Sequence, residues 1–292
     1  MILEPARETP ILAEVNVLVA GGGMAGIGAA LAAARRGASV LLLERMAFMG
    51  GTVTAVTLGG FCGFLRAANG EMHPIIGGLW HELEERARRM DALGTVRVHP
   101  TVRGVHGLPY DCERMKLVFD AWREDAGVRM LTEATVVRVA REGRRVSAVF
   151  IESKGGRHAI RARNFIDATG DADLAARAGC GFALGEAGQT QHASAMFRMA
   201  PVDRTAFGGI SRAEQDARMQ AAVEAGIDLP RTTLAIYPGL DGVAMHLNAT
   251  RVAQPDGSSF DWTDPWQRAA AEREGRRQVA LYEQAARAHM PG

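Results

Sequence analysis

The sequence predicts an α/β fold, on three observations. Val15–Ala20 and Ser39–Leu43 are short apolar runs without helical spacing, separated by the alanine-rich stretch Met24–Arg36. That is the pattern of a strand–helix–strand unit whose strands are buried on both faces of a parallel sheet. Three later segments, near Thr135–Ala140, Arg145–Glu152 and Arg157–Arg161, alternate apolar and polar residues and read as an antiparallel meander. Finally, "NFIDATGDADLAARAG" runs from a strand through Thr169 and Gly170 into a helix, returning the chain to the first sheet. Together these describe an interrupted Rossmann-like α/β domain with a β-meander, residues 1–179. A partial mixed β-sheet substrate domain, residues 180–292, follows.

Each element has a local reason. Gly21–Gly23 stop the first strand, and the helix behind them closes on Arg35, Arg36 and Gly37, cations and a glycine suited to a helix C-terminus. After Arg45 comes a glycine-rich apolar segment, then a helix from Leu79 to about Leu93. "YDCERMKLVFDAWREDAG" places Leu117, Val118, Ala121 and Trp122 on one helical face and ends at Gly127, and "SKGG" makes the second turn of the meander. Beyond Gly179, Ala193–Ala200, Thr232–Tyr237 and Val243–Arg251 read as strands, with a polar helix at Arg212–Ala225. A long charged helix spans about Asp264–Met290, its apolar side toward the domain.

Composition narrows the function classes. A hydrophobic fraction of 47% over 292 residues supplies a full core, and a net charge of +1 points to neither nucleic acid nor an acidic membrane. The arginines from Arg138 to Arg163 alternate with Val139, Val146, Val149 and Ile151, as on the wet side of a sheet. Cys62, Cys112 and Cys180 lie far apart, so no disulfide framework, zinc cage or four-cysteine cluster is encoded and no metal is expected. "MILEPARETP" lacks the apolar core of a secretory signal. Val15–Ala34 and Met46–Leu65 carry no charge, but glycines break both, so a cytoplasmic protein without a membrane span is expected.

The chemistry centres on Gly21-x-Gly23-x-x-Gly26. Gly21 permits the tight exit from the strand, Gly23 removes the Cβ that would block a pyrophosphate, and Gly26 lets the helix sit close to the sheet. The helix N-terminus, at Met24 and Ala25, offers N–H groups and positive dipole density to phosphates. Glu44, at the end of the second strand, is spaced to accept hydrogen bonds from ribose hydroxyls and would repel a 2′-phosphate. FAD and NAD share this adenosine half-site. The interruption before "IDATGDADLA" separates them, since a simple NAD domain would continue with alternating strands and helices.

With "ERMAFMGGTVTA" directly behind the ribose acid, the layout resembles the glutathione-reductase-like class of FAD proteins. Within it the sequence resembles the family of FAD-dependent oxidoreductases that carry "ER..F.GGT.T" and "FIDATGDADLA". The likeness extends through "DCERMKLVFD", "ESKGGRHAIRAR" and "SAMFRM". It implies pyrophosphate contacts at Gly21, Gly23, Met24 and Ala25, with Glu44 on the ribose and Arg45 beside the adenine. It further implies close backbone approach of the flavin at Gly50, Gly51 and Thr52, and main-chain contacts to adenine at Val136 or Val137. Thr169, Gly170 and Asp171 would close over the dinucleotide, Asp171 being equally suited to cap a helix. The resemblance also implies a further strand and helix beyond a point like Pro291–Gly292, so the sequence reads as lacking the C-terminal part of the family.

No catalytic side chain is announced. His192, Arg198, Tyr237, His246 and Arg251 are polar groups on expected strands, and Cys62 reads as a buried inert thiol, with a reactive thiol or covalent tether as the alternative. The expected activity is flavin-mediated hydride transfer from a small organic substrate. The alternatives are a non-catalytic truncated dinucleotide-binding fragment that holds FAD weakly, and an NAD-dependent dehydrogenase. Any iron–sulfur carrier would come from a partner protein, and homo-oligomers are compatible with the sequence.

Overall fold

The computed structural model describes residues 2, 6–68, 71–98, 105–186 and 189–292. Part of the N-terminal stretch read above, residues 1 and 3–5, lies outside the described residues. In chain order the first elements are β1 (Ile11–Ala20), α1 (Met24–Arg35), β2 (Val40–Leu43), α2 (Thr52–Ala55), β3 (Gly60–Cys62), β4 (Leu65–Ala68) and β5 (Glu71–Pro74). Then come α3 (Leu79–Arg89), β6 (Arg97–Val98), β7 (His106–Pro109), α4 (Cys112–Asp125), β8 (Arg129–Leu131), β9 (Thr135–Glu142), β10 (Arg145–Ser153) and β11 (Gly156–Asp167). The chain continues through α5 (Asp173–Arg177), β12 (Phe197–Met199), α6 (Arg204–Gly208), α7 (Arg212–Glu224), β13 (Ala235–Pro238), β14 (Met245–Asn248) and α8 (Pro265–His289).

The chain divides into two compact units. The first, Met1–Ala55 with Met115–Phe182, is built on a six-stranded sheet of order β8-β2-β1-β11-β10-β9. β8, β2, β1 and β11 run parallel, and β11, β10 and β9 form the antiparallel meander. The "VLLL" of β2 is buried throughout, as a strand covered on both faces requires. Leu18, Leu41, Val136, Val149, Ile151, Ile160 and Leu174 form one core cluster. Arg138, Arg145, Arg161 and Arg163 stand exposed on the strands.

Three local expectations are corrected. The last meander strand and the returning strand are one element, β11, twelve residues long, because its second half continues in register along β1 as far as Ala20↔Asp167. β8, unmarked in the sequence, adds an edge to β2. On α4 the buried residues are Cys112, Met115, Val118, Phe119 and Trp122, whereas Leu117 is 58% exposed. The i, i+3, i+4, i+7 spacing from Met115 defines the inward face, and Leu117 falls off it.

The second unit is Val56–Arg114 with Ala183–Gly292. The segment Val56–Arg114, expected within the first domain, groups here because Gly59 and Gly60 pack on His246 and Tyr237, and Gly94 on Leu240. The unit holds two antiparallel three-stranded sheets, β12-β14-β13 and β3-β7-β6, and the hairpin β4-β5. Phe197, Met245 and Leu247 on one face of the first sheet pack with Met219 and Ala222 of α7 and Tyr282 and Ala285 of α8. Asp264 caps α8 by accepting from the Trp266 and Gln267 amides, with Pro265 opening the helix. β12 and β14 are shorter than their apolar runs. The reason is Thr250, whose Oγ1 accepts from the Ala195 amide at 2.7 Å and donates to the Ala195 carbonyl at 3.1 Å, replacing ladder bonds there.

Candidate dinucleotide site

Packing within the first unit demands glycine at two positions of the turn. Gly21 has φ +104°, and a Cβ there would collide with the Ala168 carbonyl at the end of β11. A Cβ at Gly26 would collide with the Gly21 carbonyl, so the helix can approach the turn only without one. Gly23 is different. It is the N-cap of α1 with φ −71° and ψ 179°, a conformation open to any residue. A Cβ there would meet only the Gly51 Cα, at 3.9 Å. The described residues therefore give no reason for glycine at position 23, and among them none fills the space above it. No side chain caps α1, its first turn has no acidic residue, and Met24 and Ala25 are exposed. The positive end of the helix thus faces that space.

A second glycine turn meets the first. The Gly50 amide donates to the Gly22 carbonyl at 2.8 Å, and Gly23 and Gly50 form an isolated bridge. A Cβ at Gly51, where φ is +55°, would lie 3.0 Å from the Gly23 Cα. Glu44 is buried between the turn and the strand end. Its Oε2 accepts from the Gly22 amide at 2.7 Å and its Oε1 from the Met46 amide at 2.8 Å. Each carboxylate oxygen keeps a second lone pair for a ribose hydroxyl. Arg45 and Thr52 are exposed nearby in the chain, while Val136 is a core residue and Val137 is half-buried beside it.

The return of β11 is organised by a residue the sequence reading passed over. Asp167 Oδ1 accepts from the Thr169 amide at 3.0 Å and from Thr169 Oγ1 at 2.7 Å, and Oδ2 accepts from the Ala175 amide at 2.8 Å. Burial works against its ionised form, but these donors outweigh it and hold the carboxyl below the usual range. Thr169 Oγ1 in turn accepts from the Asp173 amide at 2.9 Å. Asp167 thus fixes the 168–173 turn, and an Asp two residues before a Thr–Gly pair was the available signal. Asp171 does not cap α5. It is exposed beside an exposed Gly170, and the N-cap position is Ala172 with φ +57°. Glu44, the two glycine turns and the Ala168–Thr169 turn converge, and the free space over Gly23 suits a pyrophosphate.

Residues 16–292 match the family described as FAD dependent oxidoreductase. The chain belongs to that family. The family is FAD dependent, and FAD is accordingly the cofactor. The structure resembles BexE, which is described with oxidation during BE-7585A biosynthesis, at TM-score 0.51 and 18% identity over 89% of this chain and 48% of BexE. It also resembles a geranylgeranyl bacteriochlorophyll reductase-like protein of Thermoplasma acidophilum, at TM-score 0.51 and 15% identity over 92% of this chain and 63% of that one. At these identities the likeness is one of fold. The chain spans about half the length of BexE. No curated protein matches it. Among the described residues, no helix is long and apolar enough to cross a membrane, and no group of metal-ligating side chains is found.

The second unit sorts the remaining candidates of this family member. Arg198, His246 and Tyr237 stand side by side across β12, β14 and β13, through the pairs Arg198↔His246 and Tyr237↔His246. His192 lies elsewhere, 3.4 Å from Ser259 Oγ, and Arg251 is exposed, its amide held by Gln278 Oε1 at 2.9 Å. Cys62 is exposed, not buried as its apolar neighbours suggested, because β3 leaves its end open.

Proposed function

We propose that the first unit binds FAD with its pyrophosphate over Gly23, and that the protein transfers hydride from a small organic substrate. The observation that carries this is Gly23 itself, a glycine that no contact among the described residues requires. Met24 and Ala25 would present α1 amides to the phosphates, and Gly21 and Gly26 would hold the turn in shape. Glu44 would take the adenosine ribose hydroxyls, with Arg45 and the main chain of Val136 or Val137 along the adenine. Gly50, Gly51 and Thr52 would admit the flavin half closely. Thr169, Gly170 and Asp171, on the turn fixed by Asp167, would close the opposite side. Bound FAD supplies a two-electron acceptor, and the protein's part is to place it and exclude competing reactions. In this reading the second unit carries the substrate, and a cytoplasmic redox partner, an iron–sulfur carrier among the options, receives the electrons.

The test is the absorption spectrum of the protein purified without added cofactor, then after FAD is supplied and the excess removed. Flavin bands that survive washing support the reading, and bleaching under anaerobic substrate then screens for activity. A colourless chain that fails to retain FAD favours the non-catalytic dinucleotide-binding reading. A colourless chain that binds NAD would favour a dehydrogenase.

A further inference from the structure

One face of the β12-β14-β13 sheet is closed by α7 and α8, so the polar row lies on the other. There Gly59 and Gly60 approach it so closely that a Cβ at Gly59 would fall 2.8 Å from the His246 ring and one at Gly60 2.9 Å from the Tyr237 ring. His246 is 5% exposed and its Nδ1 lies 2.7 Å from the Thr57 carbonyl. A carbonyl only accepts, so Nδ1 carries the proton and Nε2 the lone pair. Burial lowers the imidazole below its usual range, with Arg198 acting in the same direction, and the ring is neutral at pH 7. Thr57 itself has φ +52°, strained for a β-branched residue by about 1–3 kcal/mol, and such strain clusters at ligand sites.

Tyr110 adds a second, independent sign. It is 1% exposed, and its hydroxyl has no hydrogen-bond partner among the described residues; the nearby Gly59 amide falls outside hydrogen-bond geometry. Burial first, then Cys112, Tyr237 and Cys62, push its ionisation well above the usual range, so it stays a donor. An orphan buried hydroxyl costs about 1–3 kcal/mol. Gly59 connects the two sets, since its carbonyl accepts from the Tyr110 amide at 3.0 Å while its Cα packs against the His246 ring, and Arg198 stands opposite His246 in the ladder.

The donors and acceptor define a ligand: a cation and a phenol O–H suit a carboxylate, and a neutral imidazole lone pair suits a hydroxyl. Asp111 and Asp241, whose charges also reach His246, disfavour a dianion such as phosphate. We propose that Arg198, Tyr110 and His246 form a binding site for a small 2-hydroxycarboxylate, with Arg198 and Tyr110 on its carboxylate and His246 Nε2 on its hydroxyl. This names a substrate class for the oxidoreductase reading and rests on it for the reaction, but the site is built from the second unit alone.

The full-length protein with isotope-labelled histidine is titrated with glycolate, D-lactate and L-lactate, following the imidazole signals by NMR. The signal that His246→Asn removes should shift saturably with at least one of them. Propionate, which lacks the hydroxyl, should bind at least tenfold more weakly, and inorganic phosphate should not compete. Arg198→Met and Tyr110→Phe should each weaken binding about tenfold or more. Tyr110→Phe should also leave the unfolding midpoint unchanged or raised, since the lost hydroxyl has no partner among the described residues. The proposal is overturned if no hydroxy acid moves the signal, if propionate binds equally, or if Tyr110→Phe destabilises the fold and leaves affinity intact. Repeating the titration with FAD separates the two readings. Lactate binding by a protein that never retains FAD removes only the cofactor reading, and retained FAD without a lactate response removes only this one.

Discussion

Replacing Glu44 by alanine removes two charge-assisted acceptors at once, and the structure says how the loss divides. The Met46 amide lies at an exposed residue and regains water, whereas Gly22 is buried and its amide is left without a partner. Orphaning a buried N–H costs about 1–3 kcal/mol and losing a hydrogen bond to a charged group about 1.5–3 kcal/mol, overlapping quantities. Flavin-free E44A should therefore be less stable by about 2–3 kcal/mol in urea unfolding. If the carboxylate's remaining lone pairs also take the ribose hydroxyls, FAD affinity should fall by a further 1.5–3 kcal/mol, roughly ten- to 150-fold in Kd. Glu44→Gln should show both effects, since its amide NH2 meets one of the same backbone donors. Unchanged stability without FAD would refute Glu44 as the tie between β2 and the glycine turn. A destabilised protein with unchanged FAD affinity would refute its place on the ribose.

Gly23→Ala should keep stability within about 0.5 kcal/mol and reduce FAD retention at least tenfold, because its Cβ meets only the Gly51 Cα at 3.9 Å. Gly26→Ala should instead unfold the first unit more easily, by several kcal/mol, through the collision with the Gly21 carbonyl; equal effects in the two variants would contradict the division of roles. Asp167→Asn should cost about 1–3 kcal/mol in denaturant unfolding at neutral pH. The folded pKa of Asp167 is lowered, so its contribution is present above the ordinary value of 3.8 and is lost as pH falls through the lowered one; the variant should lack that acid limb. His246 is also lowered, from 6.5, but it is neutral in both states above that pH. Unfolding stability should thus decline as pH falls below 6.5, by up to about 1.4 kcal/mol per pH unit, and His246→Asn should remove this component.

What the sequence made legible was local. The glycine turn, α1 and Glu44 lie within one strand–helix–strand unit, where the local conformation follows from near neighbours: α1 starts directly behind the turn and Glu44 follows β2. Asp264 and Pro265 likewise marked the start of α8. Non-local choices were not legible. Leu117 and Phe119 are equally apolar, and only the packing of α4 decides that Phe119 goes inside. Asp167 gains its meaning from Ala175 across a turn, and Arg198, His246 and Tyr237 become neighbours only through the register of three strands distant in the chain. Tyr110 is silent in the sequence because an unpartnered hydroxyl is defined by what fails to reach it.

The continuity of β11 has a consequence for how the protein is made. β1 pairs on one side with β2, which follows closely, but on the other side with β11, and the partners Glu14 and Arg161 are 147 residues apart. During synthesis the far edge of β1 therefore stays unpaired until nearly the whole of β11 has left the ribosome. Through that interval a buried-type strand presents open amides and carbonyls to any neighbouring chain. The Ala168 carbonyl that backs Gly21 arrives last of all, so the nascent glycine turn waits without its support until translation has passed the end of β11.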